Sequence, residues 1–207
     1  SEIQLFLKQN ESSLKSIDQV LQRDPQNALA YFFMGKNFEE LGDINRAINA
    51  YQESSENDPE MLDTWIKLGQ LHAAIDGELA EAFFNNAIDV DKNGTIALNA
   101  KAEYLWDQDN PQGALALYQQ AIREQPMDRR ACFNAGLVYL ELDSLNRAYQ
   151  HFSMAIENSP RYASAYYYRG FAAENLGNAS QAKQDYEHAL RLAPDYPQAL
   201  EGLNRLR

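Results

Sequence analysis

Cysteine is almost missing from this chain: Cys132 stands alone among 207 residues. That excludes an internal disulfide and any zinc centre built from several thiolates. Basic side chains are scarce too. Eighteen Lys and Arg against thirty Asp and Glu give a formal net charge of −12. Nucleic acid would be repelled by most of such a surface, because affinity for phosphates comes from clustered Lys and Arg. An anionic membrane surface is disfavoured for the same reason. No apolar run approaches the roughly 18–20 residues of a membrane-spanning helix, so no membrane insertion is expected. The sequence opens on Ser1 rather than Met, and residues 2–7 are too short and too acidic for a signal peptide. The chain therefore reads as trimmed or processed. Its compartment is left between the cytoplasm and the periplasm, the latter as the soluble part of an exported bacterial protein. What is present, 45% hydrophobic and 23% charged residues, is the composition of a folded chain rather than a disordered one.

A period dominates the rest. Prolines fall at Pro25, Pro59, Pro126, Pro160 and Pro194, in steps of 34, 67, 34 and 34, with Lys92 dividing the double step. Alanines keep the same beat at Ala47, Ala80, Ala114, Ala148 and Ala182, and rings follow four residues later at Tyr51, Phe84, Tyr118, Phe152 and Tyr186. A small residue comes next, at Ser54, Ala87, Ala121, Ala155 and Ala189. Upstream of these lie Gly35, Gly69, Gly136 and Gly170, with Ala102 in the remaining slot.

Inside each unit the spacing is helical. Tyr31, Met34, Gly35 and Phe38 stand at i, i+3, i+4 and i+7, one stripe of a helix. At Leu41-Gly42-Asp43 the glycine suits a left-handed turn and the aspartate suits the start of the next helix. Ala47, Tyr51 and Ser54 mark a second stripe, which Asp58-Pro59 ends, since the residue before proline resists the helical region. Asp109-Asn110-Pro111 makes the third turn, with proline where a first helical turn tolerates it. Each unit is thus a helical hairpin that buries its faces only against neighbours, and the fold class is all-α.

This pattern resembles the tetratricopeptide repeat family, whose 34-residue unit places a large residue, Leu-Gly, Tyr, Ala, an aromatic, Ala and Pro at fixed positions. Trp65-Ile66-Lys67-Leu68-Gly69 and Tyr166-Tyr167-Tyr168-Arg169-Gly170 carry the likeness best. The resemblance implies one continuous superhelical solenoid. Its units span residues 28–61, 62–94, 95–128, 129–162 and 163–196, with a partial N-terminal repeat at 1–27 and a C-terminal capping helix at 197–207. The second unit is one residue short at Ile75-Asp76-Gly77-Glu78, so a local shift is expected there. With Lys101 and Ala102 replacing a bulky residue and Gly, the first helix of the third unit is expected to sit less deeply.

No catalytic constellation emerges. His72, His151 and His188 are far apart in the repeat frame, and no metalloprotease helix, phosphate loop or nucleophile elbow is present. Cys132 holds a packing position, that of a buried inert thiol. No enzyme activity and no cofactor are expected. Asp89, Asp91, Asn93 and Thr95 place oxygen ligands at the alternate positions of an EF-hand calcium loop, but Ala100 stands where the loop needs its bidentate Glu. An inter-repeat turn is the plainer reading.

Binding remains. In the family, first helices line a groove through fixed unit positions. Carried over, these give Phe32, Phe33 and Lys36 in the first unit, and Ile66, Lys67 and Gln70 in the second. Asn99, Glu103 and Trp106 follow in the third, Arg130, Phe133, Asn134 and Leu137 in the fourth, and Tyr167, Tyr168 and Phe171 in the fifth. Rings at such positions are the usual anchors of recognition. Acids outnumber bases there, with Glu39, Glu40, Asp63, Glu103, Asp107, Glu141 and Glu174 against Lys36, Lys67 and Arg130. The family's clamp for a C-terminal carboxylate is absent, since Asn134 alone fits it and Glu103 would repel the ligand. The expectation is a protein-interaction scaffold that holds an apolar or mildly basic peptide segment of a protein partner in an aromatic, acid-rimmed groove. Self-association, as a homodimer for example, and service as the regulatory arm of a larger protein are its rivals.

Overall fold

A computed structural model describes residues 2–75 and 77–206, with side chains described from Gln9 onward except that of Glu78. Among these residues there are twelve α-helices and no strand, in two compact units, Ser1–Lys92 and Asn93–Arg207. In the first unit α1 (Glu2–Arg23) precedes two hairpins. One joins α2 (Ala28–Glu40) to α3 (Ile44–Asn57), the other α4 (Leu62–Ile75) to α5 (Gly77–Val90). In the second unit α6 (Ile96–Asp107) pairs with α7 (Pro111–Glu124) and α8 (Arg129–Glu141) with α9 (Leu145–Asn158). There α10 (Ala163–Asn175) pairs with α11 (Ala179–Leu192), and α12 (Pro197–Arg205) packs on α11 and α10.

The periodic residues meet inside each hairpin. Tyr51, Tyr118, Phe152 and Tyr186 are completely buried, and so are the alanines four residues before them. Each ring lies on the backbone of its partner helix. A Cβ at Gly35 would come within 2.7 Å of Tyr51, and one at Gly136 within 2.6 Å of Phe152. Any side chain in those slots would push the ring away, so the hairpins close at van der Waals contact between ring and backbone. In the third unit Ala102 fills the slot fully buried, and Ala97, Leu98 and Ala100 of α6 are buried with it. Exposure therefore gives no sign that α6 is raised from its neighbours.

Local signals set the helix ends. Asn27, Asp43, Asn110, Asp128 and Asn178 each accept a backbone N–H of the helix they precede. The hairpin turns need one left-handed residue. Gly42 (φ 74°) and Gly177 (φ 80°) supply it in two of them, whereas Asp109 (φ 58°) and Asp143 (φ 51°) supply it in two others. Aspartate is among the few residues with side chains that tolerate this region. The shortened turn of the second repeat falls on Asp76, outside the described residues.

The Arg169–Asp185 ion pair is largely buried. Arg169 donates two hydrogen bonds to the Asp185 carboxylate, at 2.9 and 2.6 Å, and Asp185 is 2% exposed. The guanidinium also lies 5.7 and 5.6 Å from the ring centres of Tyr149 and Tyr166. The pair links α10 to α11 beside the Gly170–Tyr186 contact. Asp185→Ala would leave a guanidinium buried without its anion and is expected to cost about 3–5 kcal/mol. Gly136→Val, which must displace Phe152, is expected to cost about 1–3 kcal/mol. Urea denaturation followed by circular dichroism measures both.

Candidate peptide-binding face

First helices stand side by side in each unit. Lys67 of α4 reaches Glu39 of α2 at 3.0 Å, and α8 touches both α6 and α10. The residues singled out by the repeat frame therefore do share a face within each unit, but most of them bind one another.

In the first unit the Tyr51 hydroxyl donates to Glu39, whose other oxygen takes Lys67. Burial, then the carboxylate beside it, push the Tyr51 hydroxyl pKa far above its ordinary value. Phe32 is not an uncovered ring: it is buried edge-on to Phe33 and tilted against Tyr51. Phe33 stays 46% exposed, but it faces the cleft between α1 and α2, with the Lys36 ammonium 5.9 Å from its ring centre. Ile66 is half-buried, and Lys36 and Gln70 are exposed.

In the second unit Glu103 receives both Nε and Nη2 of Arg130, at 2.9 and 2.6 Å, together with Nδ2 of Asn134 at 2.9 Å. Asn134 also donates to the buried Tyr118 hydroxyl. Trp106 gives its indole N–H to Glu141. Glu174 accepts from the Tyr186 hydroxyl and, twice, from Arg205. The Arg205 hydrogen bonds hold its carboxyl below the usual range despite some burial. Phe133 is also buried, among Phe152, Tyr162 and Tyr168. It leans on its neighbours because the face is crowded with rings: Tyr168 stacks on Phe152, and Tyr167 touches Tyr168, Phe171, Tyr186 and Tyr196. Leu137, Tyr167, Tyr168, Phe171 and Trp106 remain half-exposed.

Asn99 is 2% exposed, contrary to the expected open groove position. Its Nδ2 donates to the Thr95 carbonyl at 2.8 Å and to Asp128 at 2.7 Å. Two acceptors on that side fix the orientation of the amide. The carbonyl Oδ1 is buried without a partner, beside a cleft of about 470 Å³ that Ile96, Met127, Asp128 and Arg129 also line. Burial works to raise the Asp128 carboxyl pKa. The Thr95 hydroxyl, the Ala131 and Arg130 N–H groups and the Asn99 amide outweigh it and hold the value below 3.8.

Thr95 is thus buried and engaged with Asp128 rather than free for a cation. Asp89 lies in the last turn of α5, while Asp91 and Asn93 follow that helix. Among the described residues no group of three or more His, Cys, Asp or Glu is placed to hold a metal ion, and no helix is long and apolar enough to cross a membrane. Burial pushes the Cys132 thiol up to about 11, so it is protonated and unreactive at neutral pH.

The internal pairing of the acids was legible in one respect. Tyr51 faces Glu39 and Tyr186 faces Glu174, whereas Phe152, with no hydroxyl to satisfy, has Leu140 at the corresponding place. A buried hydroxyl needs a hydrogen-bond partner; at Tyr118 the corresponding place holds Trp106, and the hydroxyl is met by Asn134 of the next repeat instead.

Family models described as tetratricopeptide repeat match residues 34–89, 99–163 and 163–196. The chain belongs to the tetratricopeptide repeat family. Such repeats form protein–protein interaction scaffolds. Among its relatives, the chain is 25% identical to the BBSome complex member BBS4 of Bos taurus, over 91% of this chain and 43% of BBS4. It is 27% identical to the protein O-mannosyl-transferase TMTC1 of Homo sapiens, over 84% of this chain and 20% of that protein. The chain thus spans less than half the length of these relatives. Among solved structures, yeast Tom70 superposes with a TM-score of 0.77 at 19% identity, over 93% of this chain and 42% of Tom70. YrrB, described as a TPR protein with an unusual peptide-binding site, gives 0.66 at 19% identity, over 92% of this chain and 99% of YrrB. The first TPR of Spaghetti (RPAP3), bound to an HSP90 peptide, gives 0.54 at 25% identity, over 56% of this chain and 92% of that chain.

Glu103→Ala returns Arg130 to water but takes a part-buried acceptor from Asn134, and is expected to cost about 0.5–1.5 kcal/mol. Glu40→Ala, at an exposed position, should stay within about 0.5 kcal/mol of wild type. Asp128 titrates below its unfolded value, so what it contributes is complete above pH 3.8 and is lost as pH falls through the folded value. The stability difference between wild type and Asp128→Ala, measured by urea denaturation, should therefore shrink on acidification and vanish in strong acid.

Proposed function

We propose that this chain is a non-catalytic scaffold that holds an apolar or mildly basic segment of a partner protein on its first-helix face. One observation carries the proposal: the first-helix face of the second unit leaves Trp106, Leu137, Tyr167, Tyr168 and Phe171 half-exposed. The apolar side chains of an extended polypeptide suit these rings.

Charge supports the choice of segment. Glu39, Glu103, Glu141 and Glu174 are taken up internally, but Glu40, Asp63 and Asp107 are exposed with no basic partner among the described residues. These favour a segment carrying some positive charge and quicken its approach. The RPAP3 repeat domain, which holds a peptide, supports peptide capture as the mode of binding.

Panning a random peptide library on the 207-residue chain tests this. The enriched peptides should be apolar to mildly basic, and the pair Trp106→Ala with Tyr167→Ala should weaken them about a hundredfold, with helicity retained by circular dichroism. Peptides that bind the double variant as tightly as wild type would remove the first-helix face from the proposal.

A further inference from the structure

The turn at 89–95, whose spacing suggested calcium ligands, carries a different chemistry. Asn93 is followed by Gly94, the only Asn-Gly pair in the sequence. In such a pair the side-chain amide carbon can be reached by the next main-chain nitrogen, closing a small ring. Glycine has no Cβ to crowd that nitrogen, and it leaves the backbone free to bring it up. Asparagine is among the thermally labile residues for this reason.

Structure separates Asn93 from the rest. Every other asparagine lies within a helix or caps one. Inside a helix the following N–H is committed to the main-chain ladder, and the backbone cannot turn to present its nitrogen. The caps Asn27, Asn110 and Asn178 are held by hydrogen bonds from Ala30, Gly113 and Gln181. Proline follows Asn110 and leaves no N–H to attack. Asn158, followed by Ser159, has its amide fixed on the Pro126 carbonyl at 3.0 Å. Asn93 has none of these restraints. It stands exposed in the turn after α5, and its side chain makes no hydrogen bond among the described residues. Order resumes on either side of it. The Asp91 N–H still bonds to the Ala87 carbonyl at the end of α5. Thr95 is 5% exposed, and its carbonyl accepts both the N–H and Nδ2 of Asn99.

We propose that Asn93 is a site of spontaneous deamidation in the folded chain. The Gly94 nitrogen, once its proton is lost to solvent base, adds to Cγ of Asn93. The new C–N bond closes a succinimide. The bond from Cγ to Nδ2 breaks, water returns a proton to the departing nitrogen, and ammonia leaves. Water then opens the ring at one of its two carbonyls. Attack at Cγ releases the Gly94 nitrogen from the side chain and gives aspartate in place of the asparagine. Attack at the main-chain carbonyl gives isoaspartate, in which the chain runs through the side-chain methylene. Water is the only co-reactant, and nothing is oxidised or reduced. Either product adds one negative charge to an already acidic chain. Asn93 is not among the residues of the proposed peptide-binding face, so this reaction stands apart from peptide capture.

Incubating the 207-residue chain in mildly alkaline buffer, with its helicity followed by circular dichroism, tests this. Ion exchange should show a more acidic species growing in while the helical signal is retained. Peptide mass mapping should place the change on the peptide that spans Asn93, as a mixture of aspartyl and isoaspartyl forms. The rate should rise with pH, since the Gly94 nitrogen attacks only without its proton. Asn93→Gln should abolish the species, because the longer side chain closes its ring far more slowly. Gly94→Ala should slow its formation by about tenfold or more, which is about 1.4 kcal/mol on the barrier. An Asn93 that survives unchanged, deamidation that appears first at another asparagine, an acidic species that persists in Asn93→Gln, or a rate that Gly94→Ala leaves unaltered would each overturn the proposal. The pair Trp106→Ala with Tyr167→Ala should deamidate at the wild-type rate, so loss of peptide binding and loss of this reaction are separable results.

Discussion

The contact between an aromatic ring and a bare helix backbone is what the rest of the molecule depends on. Where Gly35 meets Tyr51 or Gly136 meets Phe152, the two helices of a hairpin are as close as a ring laid on a peptide chain allows. That closeness sets how each hairpin stacks on the next, because the same rings also present their edges to the first-helix face. Phe133 is buried through this route, against Phe152 and Tyr168. Packing and candidate binding surface are therefore built from the same side chains, and a ring that stabilises a hairpin is withdrawn from ligand contact.

Polar groups follow the same economy. A Tyr in the ring position carries a hydroxyl into the interior, and the face supplies partners for it: Glu39 for Tyr51, Asn134 for Tyr118, Glu174 for Tyr186. Each of those acceptors or donors is then tied to the next first helix, by Lys67, through Glu103 and Arg130, or by Arg205. Hydroxyl, carboxylate and base form a short chain that crosses from one repeat to its neighbour. It neutralises much of the acidity that the composition suggests for the face and makes the stacking direction specific. The Asn99 carbonyl is left out of these chains, as are the buried Asn10 Nδ2, His72 Nε2 and His151 Nδ1.

Repeat architecture also leaves ends. A hairpin inside an array has both its stripes covered, whereas a helix at either extreme shows one stripe to whatever lies beyond. Val20 and Leu29 by α1, and Leu200 on α12, are exposed.

The sequence by itself determined the helical hairpins. Proline, alanine, ring and glycine recur in phase, and local rules convert that phase into helix starts, stops and partners without reference to anything distant. Asp43 capping α3, Pro111 opening α7 and Asp58 ending α3 were all legible, since each acts over three or four residues. Which side chains of the first helices stay open was decided only by tertiary structure. Phe32, Phe133 and Asn99 share a register position with the half-exposed Ile66 and Tyr167, yet each is buried by a neighbour from another helix or a loop. The pairing of Glu103 with Arg130, 27 residues away, is of the same kind. Periodicity reports the direction in which a side chain leaves its own helix. Its exposure depends on the size and chemistry of what the adjoining repeat places there, and that information lies in contacts between residues about one repeat apart.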